Sequence, residues 1–424
     1  MTVSVSSASP ARPRTAPVDA RRWPDVADLP MTSPLRTAGA ERLVRRALGR
    51  LPLRVRLGGG EPVGQGGPFM EVHEPRRFFR RIGHSGLIGF GESYMAGEWE
   101  ARDLVGVLTV LAENADSLVP GALQRLRGAW ATPQPAEHRN TAENAQANVS
   151  HHFDLSNELF ALFLDETMSY SSGLFRGFPA EPQLLAAAQH RRIDRLLDRA
   201  NVTAGTQLLE IGTGWGELAI RAAQRGARVL TVTLSREQQT LARRRIRRAG
   251  LEDRVTVLLR DYRNVLGRYD AIVSGETLEA VGAEFWPDYF MALDRLLAPG
   301  GRVALQTITM PHDRMTASRS THTWIQKYIF PGGMVPSAEA IEQVVGGCTA
   351  LRVAARDSFG PHYAETLRLW RERFTERAAD VEALGFDETF RRMWTFYLAY
   401  SEAGFRSGSL DVQQVLLTKD VPVS

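Results

Sequence analysis

The stretch Gln207-Leu208-Leu209-Glu210-Ile211-Gly212-Thr213-Gly214-Trp215-Gly216-Glu217-Leu218 decides the fold. An apolar run of strand length meets a tight glycine turn, and a helical pattern over residues 219–225 follows at once. That order is the first strand, turn and helix of a doubly wound α/β sheet, with backbone N–H groups at the helix start facing a ligand. The glycines stand as G-x-G-x-G at Gly212, Gly214 and Gly216, and Glu217 takes the place where a dinucleotide fingerprint requires its third glycine. Glu210, two residues before the first glycine, adds negative charge. The turn therefore reads as the cradle of a cationic ligand without a diphosphate.

The βα rhythm continues downstream. Residues 228–233 form a second strand that ends on Thr233, and Gln238 follows shortly after. No carboxylate stands at this strand end to hold ribose hydroxyls, which leaves that task to Thr233 and Gln238. Residues 255–259 form a third strand leading to Asp261-Tyr262, an acid for an adenine amino group and a ring to stack on it. S-adenosylmethionine meets these demands, because its amino acid end and sulfonium replace the diphosphate. Residues 269–274 form the fourth strand, and Gly275-Glu276-Thr277-Leu278-Glu279-Ala280-Val281-Gly282 follows at the carboxyl edge where such sheets bind ligands. Glu276 or Glu279 is a candidate catalytic acid there; a carboxylate that merely favours a helix start is the plainer reading. A fifth strand, residues 300–307, ends on Gln306-Thr307.

A chain of 424 residues has room for two or three domains. Its net charge of +4 argues only weakly for an acidic partner. The single cysteine, Cys348, excludes an internal disulfide and fits a reducing cytoplasm. No apolar run approaches the roughly 20 residues that cross a bilayer, and no secretory leader is evident. Residues 1–36, rich in Pro, Ala, Ser and Arg, read as a disordered tail. Residues 40–51 read as an amphipathic helix, and residues 51–57 and 67–72 as a hairpin around a glycine-rich turn. The run Arg76-Arg77-Phe78-Phe79-Arg80-Arg81 either meets anionic lipid, at about 1 kcal/mol per arginine, or forms a solvated helix face. Residues 131–149 read as a linker that separates an N-terminal unit, 37–130, from a second domain, 150–424.

Paired His151 and His152 lack partners at ligand spacing, so no metal is expected. The arginines of residues 243–248 read as the exposed side of an outer helix, so no nucleic acid is expected either. Aromatic residues crowd the C-terminal third, with Trp324, Trp370, Trp394, Phe396, Tyr397, Tyr400 and Phe405. They suit either an apolar tunnel or an ordinary core.

Over residues 40–420 the sequence resembles the cyclopropane-fatty-acyl-phospholipid and mycolic acid cyclopropane synthases. The resemblance rests on Gly91-Glu92-Ser93-Tyr94-Met95, Phe153-Asp154-Leu155-Ser156-Asn157, Met168-Ser169-Tyr170-Ser171, Glu210 to Gly216, Thr233-Leu234-Ser235 with Gln238, Asp261-Tyr262, residues 324–332, and Tyr363 with Trp370. It implies a class I methyltransferase fold with a smaller α+β lipid-binding domain ahead of it. It also implies methyl transfer from S-adenosylmethionine to a cis double bond of a phospholipid acyl chain. Tyr170 and Ser171 join the cofactor-binding set, and the protein is expected to sit peripherally on the cytoplasmic face of the membrane.

In those synthases a bound bicarbonate takes the proton, held by a cysteine, a glutamate, a histidine and a tyrosine. Carried over, these positions are Ser172, Glu279, Gln306 and Tyr363, so two of the four have changed type. Gln306 cannot accept a proton as histidine does. The segment Glu279-Ala280-Val281-Gly282 with Gln306 resembles the actinobacterial branch that makes 10-methylene acyl chains on the route to 10-methylstearic acid, with a cyclopropane ring as the alternative product. That route implies a partner reductase, and the resemblance also allows a homodimer.

Overall fold

The computed structural model describes residues 17–115, 135–153, 156–319 and 321–419. The expected tail lies outside these residues up to position 16, as do part of the N-terminal unit, the first linker residues, and Asp154-Leu155. Residues 17–36 are built into the fold, contrary to the tail expectation. Val26 is buried in the short helix Pro24–Ala27, and the helix Pro34–Leu48 starts behind a Ser33 cap. Arg81 explains the anchoring. Its guanidinium is fully buried, donating from Nη1 to the Asp25 carbonyl (2.9 Å), from Nη2 to the Val26 carbonyl (2.6 Å) and from Nε to Glu98 (2.9 Å). A buried charge needs such complete pairing, so this arginine faces neither lipid nor water.

Strands β1 (Arg54–Leu57) and β2 (Phe69–Val72) pair in parallel, and β2 pairs antiparallel with β3 (Trp99–Ala101). The expected hairpin is therefore wrong. Val63 turns back to bridge Val55 antiparallel, which reverses the chain a second time before β2. Gly64 makes this reversal possible: its φ is +115°, and a Cβ there would lie 1.9 Å from the Leu53 carbonyl oxygen.

The large sheet comprises β4 (Gln207–Ile211), β5 (Arg228–Thr233), β6 (Val255–Leu259), β7 (Tyr269–Gly275), β8 (Leu297–Thr309), β9 (Leu351–Ser358) and β10 (Asp411–Lys419). Their spatial order is β6-β5-β4-β7-β8-β10-β9. The first five are parallel, and β10 runs antiparallel between β8 and β9. The doubly wound expectation holds. Leu208, Leu209, Glu210 and Ile211 are all buried, as a strand covered by helices on both faces requires. The strand order reverses between β4 and β7, so the turns after these two strands border the crevice where ligands enter.

Helices Gly360–Glu376 and Glu388–Arg406 cover the crevice side, and their aromatic residues also reach the N-terminal elements. One continuous core joins Phe78, Trp99, Phe160, Trp370, Trp394 and Phe396. Part of the expected linker is packed as well. Asn140 donates to the Ala280 carbonyl (2.8 Å), and Asn148 donates to Asn140 (2.8 Å). Residues 138–148 thus act as a wedge against the segment after β7.

Candidate active site

The glycine turn is built from backbone. Gly212, Gly214 and Gly216 all have positive φ, at +93°, +51° and +92°. A Cβ at Gly212 would stand 2.5 Å from the Thr277 hydroxyl, whereas one at Gly214 would meet nothing within 4 Å. Gly214 therefore leaves bare backbone beside open space, at the start of the helix Glu217–Gln224. Glu210 lies beneath this turn, buried, and its Oε2 has no hydrogen-bond partner among the described residues. Burial lifts its carboxyl pKa to about 8, although Thr231 and the Arg192 charge pull it down. An unsatisfied buried carboxylate oxygen beside open backbone suits a cationic amino acid group. The residues present therefore fit S-adenosylmethionine.

The neighbouring strand ends supply the other expected groups. Thr233 donates to Gln238 (2.8 Å) at the end of β5. Asp261 is held by Arg263 Nη2 at 2.6 Å, and Tyr262 packs edge-on against Tyr289 with centroids 5.2 Å apart. Burial raises the Tyr262 phenol well above its ordinary value, so the ring stays neutral.

Across the crevice a polar cluster forms from four distant segments, and Glu276 is its centre. Glu276 Oε1 accepts from Ser171 Oγ (2.5 Å), Gln306 Nε2 (2.7 Å) and the Ser172 backbone N–H (3.3 Å). Its Oε2 accepts from Tyr363 OH (2.5 Å). The Glu276 backbone N–H bonds the Gln306 carbonyl (2.7 Å), and its φ is +53°. Glu276 is one of three described non-glycine residues with positive φ, the others being Met168 and Asn201. Such strain persists where surrounding bonds over-determine the backbone.

Of the four residues carried over as catalytic, Gln306 and Tyr363 meet in this cluster. Ser172 contributes only its backbone, because its hydroxyl donates to the Gly173 carbonyl (3.0 Å). The hydroxyl in the cluster is that of Ser171, expected to serve the cofactor. Glu279 faces β8 instead. Its Oε1 accepts from the Thr307 hydroxyl (2.9 Å) and the Ile308 N–H, and its buried Oε2 is unpartnered among the described residues. Burial, and after it the adjacent Glu276 charge, pushes the Glu279 carboxyl up to about 8. The space between Ser171, Gln306 and Tyr363 is taken up by the Glu276 carboxylate.

Sequence reasoning missed the layer beneath. Arg192, in the helix Leu185–Arg199, is buried, and its Nη2 donates to Gln189 (3.1 Å). Gln189 in turn donates to the Ser171 carbonyl (2.6 Å). Gln414 of β10 donates to the Gln306 side-chain oxygen (3.1 Å), which fixes the amide so that its NH2 faces Glu276. Burial lowers the Arg192 pKa, and the Glu276 carboxylate is the leading charge opposing that shift. The one signal in the sequence is an arginine among the apolar residues Ala188, Ile193, Leu196 and Leu197.

Aromatic rings wall the cluster. Tyr170 stacks on Trp370 (5.1 Å between centroids), and its hydroxyl lies 2.6 Å from that of Tyr397. Phe160 and Phe163 pack against Tyr170 at 5.3 and 6.2 Å. Trp324 stands elsewhere: it covers Gly91 and packs on Phe396 at 4.8 Å, locking the N-terminal elements to the C-terminal helices.

Residues 140–415 match the family model for mycolic acid cyclopropane synthetase. The chain belongs to that family. It is 54% identical to the tuberculostearic acid methyltransferase UfaA1 of Mycobacterium tuberculosis, over 96% of this chain and 98% of that one. It is 33% identical to the cyclopropane-fatty-acyl-phospholipid synthase of Escherichia coli, over 81% of this chain and 86% of that one. Among solved structures, mycolic acid cyclopropane synthase CmaA1 complexed with SAH and CTAB superposes with a TM-score of 0.59 at 30% identity, covering 68% of this chain and 99% of that one. Like others in this family, the chain is an S-adenosylmethionine-dependent methyltransferase.

Proposed function

We propose that this methyltransferase acts on the cis double bond of an oleoyl-type chain in a phospholipid and yields a 10-methylene acyl product. The observation that carries the reading is an aromatic wall beside the Glu276 cluster: Trp370 meets Tyr363 at 6.1 Å and stacks on Tyr170, which Phe160 and Phe163 back. An unactivated alkene is a weak nucleophile, so it must be held dry and close to the methyl group it takes. S-adenosylmethionine supplies that electrophilic methyl when bound over the glycine turn. Methylation leaves positive charge on the acyl chain, and ring faces such as that of Tyr170 stabilise a nearby cation by about 0.5–2 kcal/mol. The 54% identity to a tuberculostearic acid methyltransferase supports the methylene product over the ring.

The substrate implies a lipid surface. No described helix is long and apolar enough to cross a membrane. Met31, Leu35 and Leu87 are nonetheless 90%, 86% and 67% exposed, and Arg36, Arg42 and Arg46 are exposed on the helix Pro34–Leu48, with Arg50 exposed just past its end. This mixture supports peripheral docking on anionic phospholipid from the cytoplasmic side. A saturated product would require a separate reductase. The test is incubation of purified protein and S-adenosylmethionine with dioleoyl or distearoyl phospholipid vesicles. The dioleoyl chains should gain one CH2 by mass spectrometry and the distearoyl chains nothing; no gain in either refutes the substrate.

A further inference from the structure

We infer that Glu276 is the built-in general base of this site, doing intramolecularly what the cyclopropane synthases do with a recruited bicarbonate. This rests on the substrate reading above. Four donors converge on one carboxylate: Ser171 Oγ, Gln306 Nε2 and the Ser172 N–H on Oε1, and Tyr363 OH on Oε2. They come from three segments, all distant in sequence from Glu276, and the buried Arg192 adds a cation beneath them. A donor set of this kind is an anion cradle, and here the anion is covalently part of the chain. Glu276 is half-buried rather than sealed, which leaves the cluster open to the crevice.

The local backbone fits the same reading. A glutamate at φ +53° is a costly choice where glycine would be relaxed, yet the N–H bond to the Gln306 carbonyl holds it there. Glu279 is poorly placed for the task, because Thr307 and Ile308 occupy its Oε1 and its proton is held to about pH 8. Gln306 cannot take the proton, and Tyr363 is kept protonated by burial and the Glu276 charge. Only the Glu276 carboxylate is left as acceptor among these groups.

The step balances without a further reactant. After methyl transfer and a hydride shift to place the positive charge on the methylated carbon, one C–H bond of the new methyl group breaks. Its electron pair becomes the second bond of the exocyclic methylene, and the proton forms an O–H bond on Glu276. Glu276 then returns the proton to solvent before the next turnover.

The experiment compares wild type, Glu276→Gln and Glu276→Gly on dioleoyl phospholipid vesicles, in carbonate-stripped buffer and with bicarbonate added. Wild-type turnover should be the same in both buffers. Glu276→Gln should lose at least about 100-fold, the low end of general-base effects, while S-adenosylmethionine binding by calorimetry is retained. Glu276→Gly relaxes the backbone and empties the cradle, so it should be equally slow and regain turnover with bicarbonate. A wild-type rate that collapses in stripped buffer, or a Glu276→Gln variant near the wild-type rate, overturns the assignment. A wild-type protein that binds S-adenosylmethionine but methylates no acyl chain overturns the substrate reading instead.

Discussion

The two halves of the site are built in opposite ways. The glycine turn is one continuous stretch that presents backbone, and three left-handed glycines give it its shape. The Glu276 cluster is side chains from four segments, the farthest separated by more than a hundred residues, converging on two oxygens. A backbone cradle fails through sterics and is repaired by nothing nearby. A converged cluster fails through loss of single donors, each graded in effect. The first half should therefore govern cofactor affinity and the second the rate of the chemical step.

The strongest test of this division is Tyr363→Phe. It removes the only donor on Glu276 Oε2 among the described residues, and a hydrogen bond to a charged group contributes about 1.5–3 kcal/mol. Turnover should fall about 10- to 100-fold while S-adenosylmethionine affinity by calorimetry stays level. Next is Gly212→Ala, whose Cβ would press on the Thr277 hydroxyl at φ +93°. It should weaken cofactor binding about tenfold and cost about 1–2 kcal/mol of stability, seen by calorimetry and denaturant titration. Loss of turnover without loss of affinity in that variant would blur the two halves.

Lys327→Met addresses the lock outside the site. Lys327 pairs with the buried Glu92 (2.6 Å) and with Asp25 (2.8 Å), and Tyr328 OH also donates to Glu92 (2.9 Å). Removing the cation leaves Glu92 with less compensation, and a loss on the order of 2 kcal/mol is expected in thermal melts, reduced because Lys327 is partly exposed. A further effect concerns pH. Glu279 holds its proton to about 8 when folded, against 4.5 for the free group. Between these values the folded state binds more protons than the unfolded chain, so stability falls as pH rises through the window. Glu279→Gln should flatten part of that decline in cofactor-free protein, and Glu210, with the same sign, accounts for another part.

The same contrast explains what could be read from the chain alone. Strand, acid and glycine turn are contiguous, so residues 207–218 announced the sheet and its ligand. Choosing between Glu276 and Glu279 was a different problem. It depended on the left-handed backbone at 276 and on Tyr363 arriving from a distant helix, and neither is a local property. Ser171 and Ser172 show the same limit: one hydroxyl donates to Glu276 and the other to the Gly173 carbonyl, a difference that adjacency in sequence cannot reveal. Strand β9 lies at the sheet edge with five of its eight residues exposed, and Arg352, Arg356 and Asp357 interrupt its apolar pattern. Residues 51–72 read as a simple hairpin because the second reversal at Val63 leaves no mark in the sequence beyond extra glycines.

Methyl transfer to a buried acyl alkene should be followed by proton loss from the new methyl group. NMR of phospholipid isolated after turnover with isotopically labelled methyl donor tests it directly. The label should appear as an exocyclic vinylidene CH2 in the middle of the acyl chain. A label found in a cyclopropane ring, or absent from the lipid altogether, would rule out that order of steps.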